Sequence, residues 1–283
     1  MVPKVAAVHD LSGLGRCSLT AALPVLSAMG VQACPVPTAV LTCQTGYGHY
    51  YCDDYTDRLP HFTHQWLRQG VKLDGIFTGF MASPRQIAVV EQFIDQLSGP
   101  GTLLLVDPVM ADNGALYPSH QGEMCRAMAR LSRRAQVLTP NLTELCVLTG
   151  ADYAAVTAAK ERDELLGRIR ALARGLLTGP CRAVLVTGIF WDSQVCNLVV
   201  TPAGESEHWA PAVPESFSGT GDLFSSVVCG AMVRGQDAHQ ATRRATAFLS
   251  AAIALTAQNG YQDRNDGVDF EPCLPLLWKG EEG

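Results

Sequence analysis

Short apolar runs alternate with helical segments along most of the chain, and this alternation constrains the fold more than any other feature. The runs are nearly uncharged and rich in β-branched or aromatic residues, which is typical of buried strands. They lie at 4–8, 31–36, 76–80, 102–106, 183–186 and 195–200. Strands separated by helices predict right-handed βαβ units. We therefore predict an α/β fold with a mainly parallel central sheet and helices on both faces.

Helix boundary signals support this interpretation. Apolar residues recur at helical spacing at 17–29, 83–97, 124–131, 165–173, 222–233 and 237–258. Ser83, with Pro84 next and Gln86 three residues on, forms a capping-box pattern. The run at 195–200 follows its predecessor too closely for a crossover helix, so we expect it to be antiparallel, at an edge of the sheet. No linker or repeat divides the chain, which predicts one domain over 1–283.

Composition excludes several classes of function. The 283 residues include 21 Lys and Arg against 27 Asp and Glu, a net charge of −6, without the basic footprint of a nucleic-acid-binding protein. The first residues lack the apolar core of a signal peptide, and the apolar stretch at 245–257 is too short to span a bilayer. We expect a cytoplasmic protein without nucleic-acid or membrane partners. The ten cysteines have no CxxC spacing and are expected to be reduced core residues, not a disulfide framework or a zinc site.

Residues 38–57, TAVLTCQTGYGHYYCDDYTD, offer turn residues and aromatics where a helix is expected. Four of the chain's seven tyrosines fall here, namely Tyr47, Tyr50, Tyr51 and Tyr55. In a doubly wound sheet, an insertion near the carboxyl ends of the strands is placed to cover the ligand crevice. The segment is therefore predicted to be a flap over the substrate; the alternative is an oligomer contact.

A glycine turn, Ser12-Gly13-Leu14-Gly15, follows the first strand but does not match a dinucleotide-binding motif. Ser18 stands where the third glycine is required, and the second strand ends without the acidic residue that would hold a ribose. No Gly-Lys pair occurs, so a Walker loop is also excluded. A tight βα turn is the alternative, and any nucleotide must be held by other means.

The segment at 217–224, FSGTGDLF, is a stronger candidate for a phosphate cradle. Its glycines let the backbone approach an anion, and the helix expected to begin near Asp222 points free N–H groups outward. Such a cradle stabilises the charge that develops as a γ-phosphoryl group moves. Asp222 would then be the base, and the helix terminus is expected to keep it ionised at neutral pH. The alternative is an aspartate that only caps its helix.

Further oxygen ligands follow predicted strands. Asp107 directly follows the run at 102–106, while Asn141 and Glu144 lie one helical turn apart. Carboxylate and amide oxygens are ligands that Mg²⁺ accepts, usually with water between. The alternative is local: Asn141 caps a helix and Glu144 completes a capping box.

Together these motifs resemble the ribokinase-like kinases, and within them the pyridoxal and pyridoxamine kinases of vitamin B6 salvage. The resemblance runs from Val5 to about Gly260. Four motifs carry it: Gly219-Thr220-Gly221-Asp222; Asp107-Pro108-Val109-Met110 with Asp112, Asn113 and Gly114 following; Pro140-Asn141-Leu142-Thr143-Glu144; and Thr45-Gly46-Tyr47-Gly48. It implies a ribokinase-like fold with a substrate flap. It also implies ATP-dependent phosphorylation of the 5′-hydroxymethyl group of pyridoxal, pyridoxamine or pyridoxine.

The resemblance also implies roles for individual residues. In such kinases the aspartate matching Asp222 activates the hydroxymethyl oxygen, and the loop matching Gly219, Thr220 and Gly221 forms the anion hole. Residues that would organise ATP are Asp107, Asp112, Thr139, Asn141, Glu144 and Thr187. Of these, Asp107 and Glu144 would also organise Mg²⁺, directly or through water. Substrate contacts are implied for Asp10, Thr45, Gly46 and Tyr47, and the implied assembly is a homodimer.

One departure from the family bears on the substrate. Where the pyridoxal kinases carry a serine at the end of the first strand, this chain has Asp10, preceded by His9. A carboxylate there can accept a hydrogen bond from a protonated ring nitrogen or a ring hydroxyl. A kinase for hydroxymethylpyrimidine, or for another small alcohol such as a sugar or a nucleoside, is therefore an alternative. A protein that binds pyridoxal phosphate without turnover is a further one, although it would have no need of Asp222, Asp107 and Glu144 together.

Overall fold

The computed structural model describes residues 1–118, 120–213, 216–261 and 263–278. A nine-stranded sheet lies at its centre, with a two-stranded hairpin beside it. The strands are β1 (Lys4–Ser12), β2 (Gln32–Leu41), β3 (Cys52–Asp54), β4 (Gly75–Thr78), β5 (Leu103–Val106), β6 (Ala111–Asp112), β7 (Ala115–Leu116), β8 (Val137–Leu138), β9 (Ala183–Trp191), β10 (Gln194–Thr201) and β11 (Gly204–Pro211). The order across the sheet is β11-β10-β9-β8-β5-β4-β1-β2-β3. The six strands from β9 to β2 run parallel, which confirms the predicted mainly parallel α/β sheet.

Helices cover both faces of the sheet because successive side chains of a strand point to opposite sides. On β1, Val5 and Ala7 join one core, whereas Ala6 and Val8 join the other. The first core is covered by α1 (Ser18–Ala28), α8 (Thr220–Val233), α9 (Ala238–Asn259) and α10 (Pro275–Trp278). The second is covered by α2 (Leu59–Arg68), α3 (Pro84–Leu97), α4 (Glu123–Ser132), α5 (Leu142–Thr149), α6 (Tyr153–Thr157) and α7 (Arg162–Gly175).

The predicted flap is shorter than the sequence indicated. Its first residues belong to β2, where Thr38 and Ala39 are completely buried. Its later residues form β3, which pairs antiparallel with the end of β2. The excursion beyond the sheet is therefore the segment 42–51, which we call the flap from here on. The buried strand end was missed because a threonine and two prolines in β2 obscure its pattern.

The position predicted for the strand at 195–200 was wrong in one respect. It forms β10 and is antiparallel to β9, as expected, but β11 pairs along its outer side and is the edge strand. Alternating charges hide β11 in the sequence. Glu205 forms ion pairs with Arg170 and Arg174 of α7, and Glu207 pairs with Arg170. These ion pairs neutralise the glutamates of β11, whose sequence on its own is typical of a loop.

Two further properties concern the apolarity of the helices and the state of the thiols. Among the described helices, none combines the length and apolarity needed to cross a membrane. All ten cysteines are free thiols, and seven of them are buried.

Gln86 at the start of α3 supports the base of the flap. Its side chain is fully buried. Its Nε2 donates to the Thr38 carbonyl at 2.8 Å and to the Thr56 hydroxyl at 2.9 Å, and its Oε1 accepts from the Ala82 N–H at 2.8 Å. Ser83 caps the helix as predicted, but Gln86 does not close the capping box because its side chain bonds to Ala82 instead.

We expect Gln86→Leu to lower the free energy of unfolding by about 2 kcal/mol, because the Ala82 N–H and the Thr56 hydroxyl lose a buried partner. Gln92→Leu, at an exposed position of the same helix, is the matched control and should change it by less than about 0.5 kcal/mol. Denaturant unfolding of both variants measures the difference. Equal effects would contradict the structural role of Gln86.

Candidate active site

Most of the predicted site residues lie where the parallel strands of the sheet end. Asp10 is near the end of β1, Asp107 directly follows β5 and Thr139 directly follows β8. Asn141 pairs with Thr187 of β9 through an isolated parallel bridge. Because the carboxyl ends of parallel strands share one edge, residues far apart in sequence meet there. This edge and the N-terminus of α8 enclose the candidate active site.

The glycine loop before α8 presents backbone N–H groups. The helix begins at Thr220, with Gly219 as its N-cap at a φ of 79°. The first intrahelical bond runs from the Leu223 N–H to the Gly219 carbonyl, so the N–H groups of the three preceding residues have no helical acceptor. A side chain at position 219 cannot be accommodated, since a Cβ there would lie 2.0 Å from the Arg16 carbonyl oxygen. Free N–H groups at a helix start and a loop without a side chain at position 219 are features that suit anion binding, which stays a prediction.

Asp222 lies in the first turn of α8 and does not cap that helix. Its Oδ2 accepts a hydrogen bond from the backbone N–H of Ser18 in α1 at 2.8 Å. Its Oδ1 lies 3.7 Å from Nδ1 of His9, and 14% of the side chain is exposed. The interpretation of Asp222 as a plain N-cap is thus wrong, because Gly219 occupies the cap position.

The sequence predicts that the helix terminus keeps Asp222 ionised at neutral pH, but burial works against this effect. Burial raises its pKa to about 7, and the charge of Asp10 raises it further, while the bond from Ser18 opposes the shift. Desolvation of the carboxylate outweighs the helix dipole because the side chain is packed beneath α1 and β1. A carboxyl group with a pKa near neutrality is a stronger base than the ordinary aspartate that the sequence indicated.

Asp10 is connected to Asp222 through one residue. The Ser18 hydroxyl donates to Asp10 Oδ1 at 2.6 Å, and the Ser12 hydroxyl donates to Asp10 Oδ2 at 2.9 Å. Ser18 therefore contacts one carboxylate through its side chain and the other through its backbone. Burial raises the pKa of Asp10, and the two hydroxyl groups oppose the shift.

Asp107, which directly follows β5, faces the glycine loop. A Cβ on Gly221 would lie 3.7 Å from Asp107 Oδ2, which shows how close the carboxylate comes to the loop. The Ser225 hydroxyl lies 3.2 Å from this oxygen and 2.9 Å from the Thr139 hydroxyl. Burial, together with the charge of Asp222, raises the pKa of Asp107 to about 8. The hydroxyl of Thr139, a predicted nucleotide contact, faces Ser225 and is buried.

Asn141 and Glu144 form the capping box of α5. Glu144 Oε2 accepts from the Asn141 N–H at 2.9 Å, and Asn141 Oδ1 accepts from the Glu144 N–H at 2.9 Å. Glu144 Oε1 also accepts from the Met110 N–H at 3.1 Å. Burial and the nearby charge of Asp107 raise the pKa of Glu144. The local interpretation of this motif is confirmed, and both carboxylate oxygens of Glu144 are already engaged.

The remaining predicted residues are more open. Asp112 lies on the hairpin and is exposed, with its carboxylate bonded to the Asn113 N–H. In the flap, Thr45 is exposed, and the Tyr47 hydroxyl donates to the carboxylate of Asp266. Gly46 packs so tightly that a Cβ there would lie 2.2 Å from Asn265 Oδ1. Their roles in ligand binding stay predictions.

Sequence reasoning missed Gln44, which attaches the flap to the glycine loop. The side chain is buried, and its Nε2 donates to Asn265 Oδ1 at 2.9 Å and to the Ser218 hydroxyl at 3.3 Å. Its Oε1 accepts from the Gly46 N–H at 2.7 Å. A buried polar residue between a strand end and a turn is the signal that identifies such a position. His9 and Ser18 were missed as neighbours of Asp222 for lack of any local signal.

The carboxylate set fits a hydrated cation better than a closed metal cage. Among the described residues, no three His, Cys, Asp or Glu side chains converge as a metal site. The hydrogen bond from Ser225 to Asp107 uses Oδ2 and leaves Oδ1 outside the hydrogen bonds described above. Both carboxylate oxygens of Glu144, in contrast, accept hydrogen bonds from the backbone. Mg²⁺ is held in many phosphate sites by one or two carboxylates, with water completing its shell. Asp107 is therefore the candidate ligand, and Glu144 supports the backbone next to it.

Comparison with known proteins identifies relatives over nearly the whole chain. The family model described as phosphomethylpyrimidine kinase matches residues 15–265. A pyridoxine/pyridoxal/pyridoxamine kinase of Bordetella bronchiseptica is 27% identical over 257 residues, 87% of each chain. A hydroxymethylpyrimidine/phosphomethylpyrimidine kinase of Streptomyces coelicolor is 30% identical over 257 residues, 89% of this chain and 88% of its own.

Solved structures agree with this result. A Bacteroides thetaiotaomicron protein provisionally assigned as a phosphomethylpyrimidine kinase, crystallised with pyridoxal, is 38% identical. The alignment covers 98% of this chain and 96% of the Bacteroides chain, with a TM-score of 0.89. Pyridoxal kinase of Lactobacillus plantarum is 28% identical, covers 98% of this chain and 97% of its own, and has a TM-score of 0.85. The predicted ribokinase-like fold is thereby confirmed.

The two glycines of the loop should respond differently to substitution. Gly219→Ala adds a Cβ that clashes with the Arg16 carbonyl at a positive φ, so we expect it to lower the melting temperature by several degrees, a cost of about 2 kcal/mol or more. Gly221→Ala meets only an ordinary contact with Asp107 and should melt within about 2 °C of wild type. Thermal unfolding followed by circular dichroism tests both. Equal melting temperatures would show that the loop is not fixed by Gly219.

Proposed function

The chain belongs to the phosphomethylpyrimidine kinase family, and from this premise we propose that it transfers the γ-phosphoryl group of ATP to the 5′-hydroxymethyl oxygen of a B6 vitamer. The observation that carries the proposal is the position of Asp222, a buried carboxylate with a raised pKa in the first turn of the helix that presents the glycine loop. The same arrangement brings an acceptor for a hydroxyl proton next to a site for phosphate. A kinase for a small alcohol needs these two elements together.

The reaction follows from the groups on either side of the transferred phosphoryl. The alcohol hydroxyl donates to Asp222 Oδ1, because Oδ2 is bonded to Ser18. The alcohol oxygen then forms a bond to the γ-phosphorus while the bond from phosphorus to the bridging oxygen of ADP breaks, and the hydroxyl proton passes to Asp222. The N–H groups of Thr220 and Gly221 donate to the phosphoryl oxygens as charge develops on them. Asp107 would hold the hydration shell of Mg²⁺, and the metal would supply neutralisation of the phosphate charge.

The B6 assignment rests on three supports. The Bacteroides relative, at 38% identity, was crystallised with pyridoxal. The Bordetella relative is named as a kinase of all three vitamers. Asp10 adds a carboxylate at the end of β1 that can accept a hydrogen bond from a protonated pyridine nitrogen or from the ring hydroxyl. Such a donor would favour the ionised form of Asp10 and would oppose the effect of burial, which raises its pKa.

Hydroxymethylpyrimidine is the second candidate substrate. The Streptomyces relative is named for it, and the family description names its phosphate. Asp10 can equally accept a hydrogen bond from an amino group on a pyrimidine ring. The fold and the phosphate side of the site serve either alcohol, so the ring contacts decide between them.

A substrate panel tests the proposed function. Pyridoxal, pyridoxamine, pyridoxine, hydroxymethylpyrimidine, ribose and adenosine are each supplied with MgATP, and ADP release and the mass of the product are measured. We expect a B6 vitamer to have a kcat/KM at least about tenfold above that of any other alcohol. A higher value for hydroxymethylpyrimidine would establish the second candidate, and ADP release without a phosphorylated product would contradict both.

The pH dependence tests Asp222 as the base. Because only the ionised carboxylate accepts a proton and its pKa is raised to about 7, kcat/KM should fall below that pH and reach roughly a tenth of its plateau one unit lower. Asp222→Asn should lower kcat by about 10²-fold or more while the KM for ATP changes little, since the loop binds phosphate through its backbone. Asp163→Asn, on the exposed side of α7, is the matched control. A near wild-type rate in Asp222→Asn would remove Asp222 from the reaction.

A further inference from the structure

His9 is a buried imidazole that the chemistry described above does not use. It lies on β1 between Val8 and Asp10 and is completely buried. Within the part of the chain that the structure describes, neither ring nitrogen has a hydrogen-bond partner. Polar atoms buried in this way are costly, so an apolar side chain would be expected in the middle of a central strand. The histidine therefore calls for a functional explanation.

Two neighbours fix the orientation of the ring. Phe77 of β4 packs edge-on against it with the ring centroids 4.2 Å apart. Gly79 leaves the space that the ring occupies, since a Cβ there would lie 2.3 Å from His9 Nδ1 and 2.5 Å from its Cε1. Held in this slot, Nδ1 lies 3.7 Å from Asp222 Oδ1, the carboxylate oxygen left free by Ser18.

The ring is neutral and does not relay protons. Burial lowers the pKa of His9 to about 3, far below the value of about 7 that burial gives Asp222. A proton on Asp222 therefore does not pass to His9. A neutral imidazole carries one hydrogen, and placed on Nδ1 it points toward Asp222, whereas Nε2 then needs no acceptor.

We propose that His9 is a positioning residue for the catalytic base: its neutral ring, protonated on Nδ1, donates a hydrogen bond to Asp222 Oδ1 in the complex with substrates. The separation of 3.7 Å is longer than a hydrogen bond, and catalytic hydrogen bonds commonly shorten when ligands bind. With the Ser18 N–H on Oδ2 and His9 on Oδ1, the carboxylate is held in one plane. The remaining lone pair of Oδ1 is then directed to the alcohol.

The hydrogen bond from His9 would also change the pH at which Asp222 ionises. A hydrogen bond to the carboxylate favours its charged form and opposes the effect of burial. The other ionisable groups around the pair are Asp10 on β1, Cys17 before α1, Asp107 after β5 and Tyr117 after β7. Phe77 on β4 and Gly79, which directly follows that strand, bring no charge. Loss of the His9 bond should therefore raise the pH at which activity falls.

Three variants separate positioning from packing. His9→Leu fills the slot without a donor, and we expect kcat to fall about tenfold or more, the acid limb of kcat/KM to move to higher pH, and the KM for ATP to change less than about twofold. His9→Asn places an amide nitrogen near the position of Nδ1 and should recover kcat to within about threefold of wild type. Phe77→Leu loosens the same slot without removing a polar atom and should leave the acid limb in place. Equal losses of kcat in His9→Leu and Phe77→Leu, with no movement of the limb, would overturn the proposal.

A measurement without substrate keeps the test independent of which alcohol the enzyme uses. In protein labelled with ¹⁵N-histidine, the resonance that disappears in His9→Asn belongs to His9. We expect it to show a proton on Nδ1 and no titration from about pH 5.5 to about pH 8.5. A proton on Nε2, or a titration in that range, would overturn the proposal. The kinetic comparison of the variants rests on the proposed function. If wild type phosphorylated none of the alcohols in the substrate panel, that function would be rejected. The NMR spectrum would still decide the protonation state of His9.

Discussion

The hydrogen bond from the Ser18 N–H to Asp222 Oδ2 joins the first residue of α1 to the first turn of α8. Both helices cover the same face of the sheet, and the start of each is aimed at the active site. Ser18 holds a φ of 49°, a conformation that costs about 1 kcal/mol or more outside glycine. Its bonds to Asp10 and Asp222 maintain that conformation, so the geometry of two carboxylates depends on one strained residue.

Desolvation sets the electrostatics of the site. Asp10, Asp107 and Asp222 are gathered at one edge of the sheet, and burial is the leading cause of the raised pKa in each. Hydroxyl and N–H groups of Ser12, Ser18 and Ser225 offset part of that cost. The result is a group of carboxylates that hold protons more tightly than surface acids do, which suits a base that must accept one at neutral pH.

The sequence allowed the parallel strands and the glycine loop to be predicted because their signals are local. Apolar runs mark the strands, and Gly219 and Gly221 mark a backbone that must approach an anion. Contacts between distant segments carry no such signal: Ser18 and Asp222 are 204 residues apart. For the same reason the pKa of Asp222 was expected to be ordinary, since burial beneath α1 is a property of the folded chain. The edge strand β11 was missed because its glutamates pair with arginines of α7, a contact that local sequence does not reveal.

The close approach of α8 to α1 also has a consequence for biosynthesis. Gly230 makes room for Met29 and Leu26, so the apolar face of α1 is covered by a helix from the last quarter of the chain. At about 5–20 residues per second, a ribosome needs roughly 10–40 s to add the 204 residues that separate Ser18 from Asp222. During that interval α1 has no partner on this side and is exposed to chaperones and to aggregation. A nascent chain released before α8 would carry every strand of the sheet but would lack Asp222 and the helix that covers α1.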